Sequence, residues 1–282
     1  MSIQAPPAAK ASLEFPGSLV LAGAGKMGDA LLRGWLARGL AGPQMVVFEP
    51  APSPELQALT AAQTIRLNPA INDIQDTAVL VLAVKPQVMP DVLPQFQSLA
   101  AGGALVLSIA AGKPVSFLEQ YFAGAPIVRA MPNTPAAIGQ GMSVLFANAR
   151  VTPAQQNLAG ALMAAVGVVA WVTDEALMDA VTAVSGSGPA YLFLLIEALA
   201  KAGEKAGLDS ALSYLLARQT VSGAAALAAQ SEQPAATLRE NVTSPGGTTA
   251  AALEVLMRAD GLQSLMDEAV LAATGRSREL AK

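Results

Sequence analysis

The sequence predicts an α/β domain on a doubly wound, mostly parallel sheet, followed by an all-α domain. Three observations carry this expectation. Short continuous apolar runs alternate with helical segments as far as Val172. A glycine-rich turn joins the first such run to the first helix. From Thr173 onward the periodicity is helical almost throughout, with no convincing strand. The expected organisation is a Pro/Ala-rich frayed tail over residues 1–16, a sheet domain over 17–172 and a helical domain over 173–282.

Ser18 to Ala22 (SLVLA) reads as a buried parallel strand: short, apolar on both faces and ended by glycines. Lys26 to Arg38 reads as a helix with Met27, Ala30, Leu31, Gly34 and Trp35 on one face and Gly39 as its stop. Further strands are expected over Gln44 to Glu49, Ala78 to Val84, Ala104 to Ile109 and Pro126 to Ala130. Helices fit between them, near Pro54 to Ala62, Gln87 to Leu99 and Pro114 to Tyr121. Met142 to Ala147 and Gly167 to Val172 complete the strands, around a helix over Ala154 to Val166. Pro189 begins a long apolar helix, as a proline in the first turn can. Gly207-Leu208-Asp209 breaks it, with Asp209 as N-cap of the next.

Composition narrows the chemistry. The 282 residues contain neither Cys nor His, which excludes thiol catalysis, disulfides, His-bound metals and Ser-His-Asp triads; no metal site is expected. With 17 basic and 21 acidic residues the net charge is -4, poorly suited to a nucleic-acid partner. Charged residues are only 13%, against about 25% in an ordinary chain. Hydrophobic residues are 53% but aromatics only 4%. Either the protein is Ala-rich with closely packed helices, or it hides apolar surface between subunits. The most apolar stretch, Ala190 to Ala202, is interrupted by Glu197 and Lys201, so no membrane span is expected. The first 16 residues lack the charged start and apolar run of a leader, which suggests a cytoplasmic protein.

Gly23-Ala24-Gly25-Lys26-Met27-Gly28 matches G-x-G-x-x-G between an expected strand and an expected helix. The first glycine permits the turn, the second lets the backbone approach a pyrophosphate, and the third lets helix and strand pack closely. Alone the pattern can be merely a glycine-rich turn; between a strand and a helix it reads as the dinucleotide-binding signature of a Rossmann domain, with the diphosphate against helix N–H groups. Glu49 ends the second strand about 20 residues further on, where an acid bonds the ribose hydroxyls of NAD and repels the 2′-phosphate of NADP. It leans toward NADH; the alternative is an ordinary solvated glutamate. Lys85, after the Ala78 to Val84 strand, stands where an anionic ligand of such a sheet binds, or is simply solvated. Met131-Pro132-Asn133-Thr134-Pro135 is a stiff loop with fixed polar groups, or a structural turn. Ser185-Gly186-Ser187-Gly188-Pro189 and Ser244-Pro245-Gly246-Gly247-Thr248-Thr249 each open a helix with small residues, suiting a carboxylate or serving as ordinary caps.

In order, GAGKMG, AVKP, MPNTP, AVSGSGPAY, NVTSPGGTT and a closing RSREL resemble the pyrroline-5-carboxylate reductases, from about Leu19 to Leu280. That family reduces (S)-1-pyrroline-5-carboxylate to L-proline with NAD(P)H, the last step of proline biosynthesis. The resemblance implies a Rossmann domain and a helical dimerisation domain that interlocks two subunits, with dimers assembled into rings such as a decamer. By matching position it implies that Gly23, Ala24, Gly25, Lys26, Met27 and Gly28 hold the pyrophosphate. Asn68, Asn133 and Asn241 become further cofactor contacts. Ala83, Val84, Lys85 and Pro86, with Ala110 and Ala111, flank the nicotinamide half. Lys85, Glu175, Ser187, Gly188, Thr248 and Thr249 line the substrate site, with Lys85, Ser187 and Thr249 as the catalytic candidates. Many members carry a small or hydroxyl-bearing residue at the position of Glu49 and use NADPH well. The tail over 1–16 has no family counterpart.

The implied substrate is a cyclic imine bearing a carboxylate, and its protonated form accepts hydride without a strong general acid. That suits a site with neither His nor Cys. Two other readings are a β-hydroxyacid dehydrogenase and a non-catalytic dinucleotide sensor. The first uses an early lysine in the interdomain helix, whereas here none follows Pro189 until Lys201. The second needs no paired anion-suited helix starts.

Overall fold

The computed structural model describes residues 2–4, 17–40, 42–62 and 64–281. Among the described residues nine strands form one sheet: β1 (Ser2–Gln4), β2 (Ser18–Ala22), β3 (Met45–Phe48), β4 (Arg66–Leu67), β5 (Thr77–Leu82), β6 (Leu105–Ser108), β7 (Ile127–Met131), β8 (Gly141–Ala147) and β9 (Gly167–Trp171). Their spatial order is β1-β9-β8-β7-β6-β5-β2-β3-β4. From β4 to β7 all neighbours are parallel. Successive strands run outward from β2 through β3 to β4, then outward the other way from β5 to β7. The chain therefore reverses direction across the sheet between β2 and β5, which opens a crevice at their carboxyl ends.

Side-chain alternation divides the apolar strands between two cores. Leu19, Leu21, Val79, Val81, Leu105 and Leu107 pack on one face with Leu31, Trp35 and Met163. Val20, Val46, Leu80, Leu82 and Val106 pack on the other with Met89, Phe96 and Leu118. Burial on both faces is why these strands read as unbroken apolar runs. On the first face, α1 (Lys26–Ala37) lies beside α6 (Pro153–Ala164). The Trp35 Nε1–H donates to the Leu162 carbonyl at 2.9 Å, and Arg38 donates to Ala164 O at 2.9 Å. These bonds reach carbonyls in the last turn of α6, where Leu162 O also accepts the Ala165 N–H at 3.4 Å. A Thr152–Gln155 capping box opens α6, and Ser53 caps α2 (Pro54–Ala61).

Four differences from the sequence reading have physical causes. Residues 2–4 are not tail: Ser2, Ile3 and Gln4 pair antiparallel with Trp171, Ala170 and Val169, supplying hydrogen bonds to the outer edge of β9. Met1 and residues 5–16 lie outside the described residues. The single helix expected over Gln87 to Leu99 is broken into 3-10 turns at Pro86–Val88 and Leu93–Phe96, alternating with α3 (Met89–Val92) and α4 (Gln97–Ala100). Pro90 and Pro94 lack the N–H that a continuous helix requires. The helix near Pro114 is shorter than expected, α5 (Val115–Glu119). Arg66–Leu67 form a two-residue strand too short to leave a pattern.

Helical structure begins at Glu175, near the expected change of periodicity. The division between compact units falls later: one unit comprises Met1–Gly186 with Thr274–Lys282, the other Ser187–Ala273. The first helical turns belong to the sheet unit because Met178, in α7 (Met178–Val181), is buried against Val144 and Ala170. A π-turn over Thr182–Gly186 follows. The helical unit holds α8 (Gly188–Lys205), α9 (Ser210–Gln230), α10 (Ala235–Asn241), α11 (Thr248–Leu256) and most of α12 (Leu262–Leu280). Asp209 caps α9, accepting from Leu212 N–H at 3.0 Å. Gly203 lets α8 meet α9 closely, since a Cβ there would stand 3.0 Å from Ser213 Oγ. Leu192, Phe193, Leu194 and Leu195 on α8, and Tyr214, Leu215 and Leu216 on α9, are exposed. By length and composition alone, Glu175–Lys205 is apolar enough to cross a bilayer.

Replacing Trp35 by Phe keeps most of the buried ring but leaves the Leu162 carbonyl without its indole partner. With the Ala165 N–H still on that carbonyl, the expected loss is about 0.5–1.5 kcal/mol of unfolding free energy, read from the urea midpoint.

Candidate functional site

The crevice between the carboxyl ends of β2, β3 and β5 holds a cavity of about 530 Å³, within the range of small-ligand sites. Gly23 and Gly25 form one wall, Glu49 and Asn68 another, and Ala83, Val84 and Lys85 a third. The sequence reading missed the apolar floor: Phe48, Val88, Val92 and Phe96, with Gln95 beside them. Phe48 and Phe96 meet edge to face, ring centroids 5.1 Å apart. Phe96 lies in the proline-broken region, where a single helix would have carried its side chain in a different direction.

The three glycines of the turn have three different reasons. Gly23 has φ +93°, and a Cβ there would fall 2.8 Å from the Ala83 carbonyl oxygen. Gly28 is buried beneath the turn, where a Cβ would stand 2.3 Å from Gly23 O. Gly25 has ordinary extended geometry, φ -64° and ψ -172°, and a Cβ there would meet no atom within 4 Å. Protein packing therefore explains Gly23 and Gly28 but not Gly25. The open space before Gly25 is what the approach of a pyrophosphate to the backbone needs. Gly25 is also the N-cap of α1 and brings no side chain to its first-turn N–H groups, which remain available to an anion.

Glu49 is not simply solvated. Its Oε2 accepts the Ala24 N–H at 2.8 Å and its Oε1 the Ala51 N–H at 3.1 Å. The carboxylate is fixed beside the glycine turn. Asn68, in the left-handed region at φ +47°, grips the same residue. Its Oδ1 accepts Glu49 N–H and its Nδ2 donates to Glu49 O, both at 2.9 Å. Asparagine tolerates that backbone conformation better than most side chains.

Lys85 is exposed on the cavity wall, with Pro86 opening the 3-10 turn after it. Ala110 is buried and Ala111 exposed in the loop between β6 and α5. Asn133 is engaged within the sheet unit: Met142 N–H donates to its Oδ1 at 2.8 Å, and its Nδ2 donates to Ser185 O at 3.2 Å. Glu175 Oε1 accepts the Val115 N–H at 2.8 Å and pairs with Arg129. Arg129 was not singled out in the sequence, where it is one charge inside an apolar strand.

In the helical unit, Ser187 precedes α8, and its side chain makes no capping hydrogen bond. Gly188 and Pro189 form the first turn. The N-cap of α11 is Gly247, so Thr248 and Thr249 occupy the first two helical positions. Thr248 is exposed and Thr249 half-buried. Asn241 ends α10 and donates to Gln233 Oε1 at 3.1 Å.

Gly25→Val should raise the dissociation constant for NADH and NADPH by at least about tenfold while the protein remains folded, because the added side chain enters the open cradle. Gly28→Ala should instead destabilise the turn. Fluorescence titration and thermal melting of the two variants separate these outcomes.

Comparison with known proteins places this geometry. A family profile described as pyrroline-5-carboxylate reductase dimerisation matches residues 175–280. One described as NADP oxidoreductase, coenzyme F420-dependent, matches residues 19–112. The pyrroline-5-carboxylate reductase of Pseudomonas aeruginosa is 43% identical over 261 residues, covering 92% of this chain and 95% of its own. That of Synechocystis is 43% identical over 268 residues, covering 94% and 98%. The solved structure of a pyrroline-5-carboxylate reductase from Coxiella burnetii superposes with TM-score 0.88 at 36% identity, over 95% of this chain and 100% of that one. The Plasmodium falciparum pyrroline carboxylate reductase, solved with NADP bound, gives TM-score 0.79 at 29% identity, over 95% and 99%. With that identity along nearly its whole length, the chain belongs to the pyrroline-5-carboxylate reductase family.

Proposed function

We propose that this protein reduces 1-pyrroline-5-carboxylate to L-proline, acting as an NAD(P)H-dependent oxidoreductase on a C=N bond. The observation that carries the reading is the switch-point cavity, whose backbone is left open at Gly25 and whose acid is fixed at Glu49. When bound, the reduced nicotinamide supplies the hydride that the imine carbon accepts. Gly23 to Gly28 hold the pyrophosphate, Glu49 and Asn68 the adenosine ribose, and Ala83 to Pro86 with Ala110 and Ala111 the nicotinamide half. Asn133 and Asn241 keep the cofactor roles that the family resemblance implies.

Lys85, Glu175, Ser187, Gly188, Thr248 and Thr249 take the substrate roles. The hydroxyls of Ser187 and Thr249 and the N–H groups at their helix starts suit a carboxylate. Lys85 offers a cation to the same anionic substrate. With the imine protonated in solution, these residues need only hold and orient it; orientation of this kind supplies roughly 7–11 kcal/mol. The hydroxyacid-dehydrogenase and sensor readings are set aside, since the relatives are named for the reductase.

The protein is a homo-oligomer. The exposed leucines of α8 and α9 are the surface we assign to the dimer contact, and a ring of dimers in the cytoplasm completes the proposal. Glu49 favours NADH: its fixed carboxylate accepts from ribose hydroxyls and repels a 2′-phosphate.

Purified protein given pyrroline-5-carboxylate and each cofactor separately should consume reduced nicotinamide; absence of turnover with both rejects the reaction. The ratio of kcat/KM should favour NADH and fall by roughly tenfold or more in Glu49→Ser. A higher kcat/KM with NADPH in the unaltered protein rejects the cofactor assignment. Thr249→Val should raise the KM for pyrroline-5-carboxylate several-fold through one lost hydrogen bond, with an unchanged melting temperature.

A further inference from the structure

The geometry points to Arg129 as a positioning residue of the reductase, acting through Glu175 to hold the 109–115 loop in the form that receives the nicotinamide half of the cofactor. This rests on the reductase reading above.

Among the described residues, Arg129 is the one charged residue in the buried class. A buried cation requires a partner, and a strand that needed only stability would carry an apolar side chain there. The partner is Glu175, whose side chain is 27% exposed against 11% for Arg129. One oxygen, Glu175 Oε1, takes both the guanidinium and the Val115 N–H. It thereby joins β7 to the first residue of α5. The six residues before Val115 form the loop that leaves β6 and carries Ala110 and Ala111.

Other contacts hold the same loop. Ile109 N–H donates to Leu82 O at 3.1 Å, fixing its start to β5. Gly112, at φ +70°, lies against the end of α12: a Cβ there would stand 3.2 Å from Leu280 Cβ. That end of α12 is held in turn by Ser277, whose Oγ–H donates to Asp179 Oδ1 at 2.6 Å. The Arg129–Glu175 pair is the charged anchor of the set. Without the guanidinium, a half-buried carboxylate has no counter-ion and turns toward water, releasing the Val115 N–H. The glycine turn and Glu49 line the cavity, which residues 109–115 do not, and they stay in place. Cofactor affinity should therefore change little while the alignment of its reactive end is lost.

The test uses the full-length protein with Arg129→Met and Arg129→Lys. Three quantities are read: amide exchange over residues 109–118 without cofactor, the NADH dissociation constant and stoichiometry, and kcat with its primary isotope effect from cofactor deuterated at the transferred position. For Arg129→Met, Val115 should exchange at least about tenfold faster while β5 and β6 keep their protection. The dissociation constant should stay within about threefold, while kcat drops roughly 10–100-fold and the isotope effect rises. Arg129→Lys, which keeps the charge but not the fork, should recover part of kcat. An unchanged Val115 exchange rate overturns the proposal. So does a fall in kcat that merely tracks a fall in cofactor-binding stoichiometry, with the isotope effect unaltered. Should Arg129→Met not fold, Arg129→Gln carries the same measurements; failure of both to fold assigns Arg129 to the scaffold and likewise overturns the proposal. A wild-type protein that does not turn over pyrroline-5-carboxylate would instead reject the reductase reading.

Discussion

The close approach of α1 to the end of β2 is the constraint on which the site depends. Gly28 can lie against the Gly23 carbonyl only because it carries no Cβ. That contact lowers the helix onto the sheet, brings its first turn to the crevice and leaves its N–H groups facing an open space. The reversal of strand order between β2 and β5 makes the crevice, and the glycine contact places a positive helix end at it. Either feature without the other would leave an ordinary α/β layer.

Two carboxylates work on this frame in the same way. Glu49 accepts a backbone N–H from the glycine turn, and Glu175 accepts one from the start of α5. Each is itself held, Glu49 by the Asn68 amide through its backbone and Glu175 by the Arg129 guanidinium through its side chain. Loops carry the function, but loops alone have few contacts to fix them. Charge-assisted bonds to backbone N–H groups are short and directional, so one acid can set the position of a whole turn. The absence of His and Cys fits the proposed reaction, in which the protonated substrate is itself the electrophile. In the helical unit the apolar surface of α8 and α9 fits the low charge content of the chain, and of the two readings of that composition the family favours the oligomer.

Much of this was legible in residue order. Strands buried on both faces leave unbroken apolar runs, so β2, β3, β5, β6 and β7 fall within a residue or two of their expected positions. The glycine turn and Glu49 declare themselves by spacing. The region after Lys85 was misread as one helix, because apolar periodicity continues through Pro90 and Pro94 while the hydrogen bonding cannot. That error mattered, since it hid Phe96 and the floor of the cavity. Ser2–Gln4 gave no signal either: an edge strand of three residues has no periodicity, and its partner β9 lies far along the chain.

By itself the sequence determined the class of fold, the order of its parts, the dinucleotide turn and the family, because each is written in local periodicity or in fixed spacing of small residues. Only the tertiary structure decided what the polar side chains do. Arg129 and Glu175 are 46 residues apart, Glu49 and Asn68 are 19 apart, and Asn133 and Ser185 are 52 apart. Nothing in the neighbourhood of any one of them names its partner. A hydrogen bond depends on direction and on distances of a few tenths of an ångström, and that precision exists only after the apolar strands have closed into a sheet.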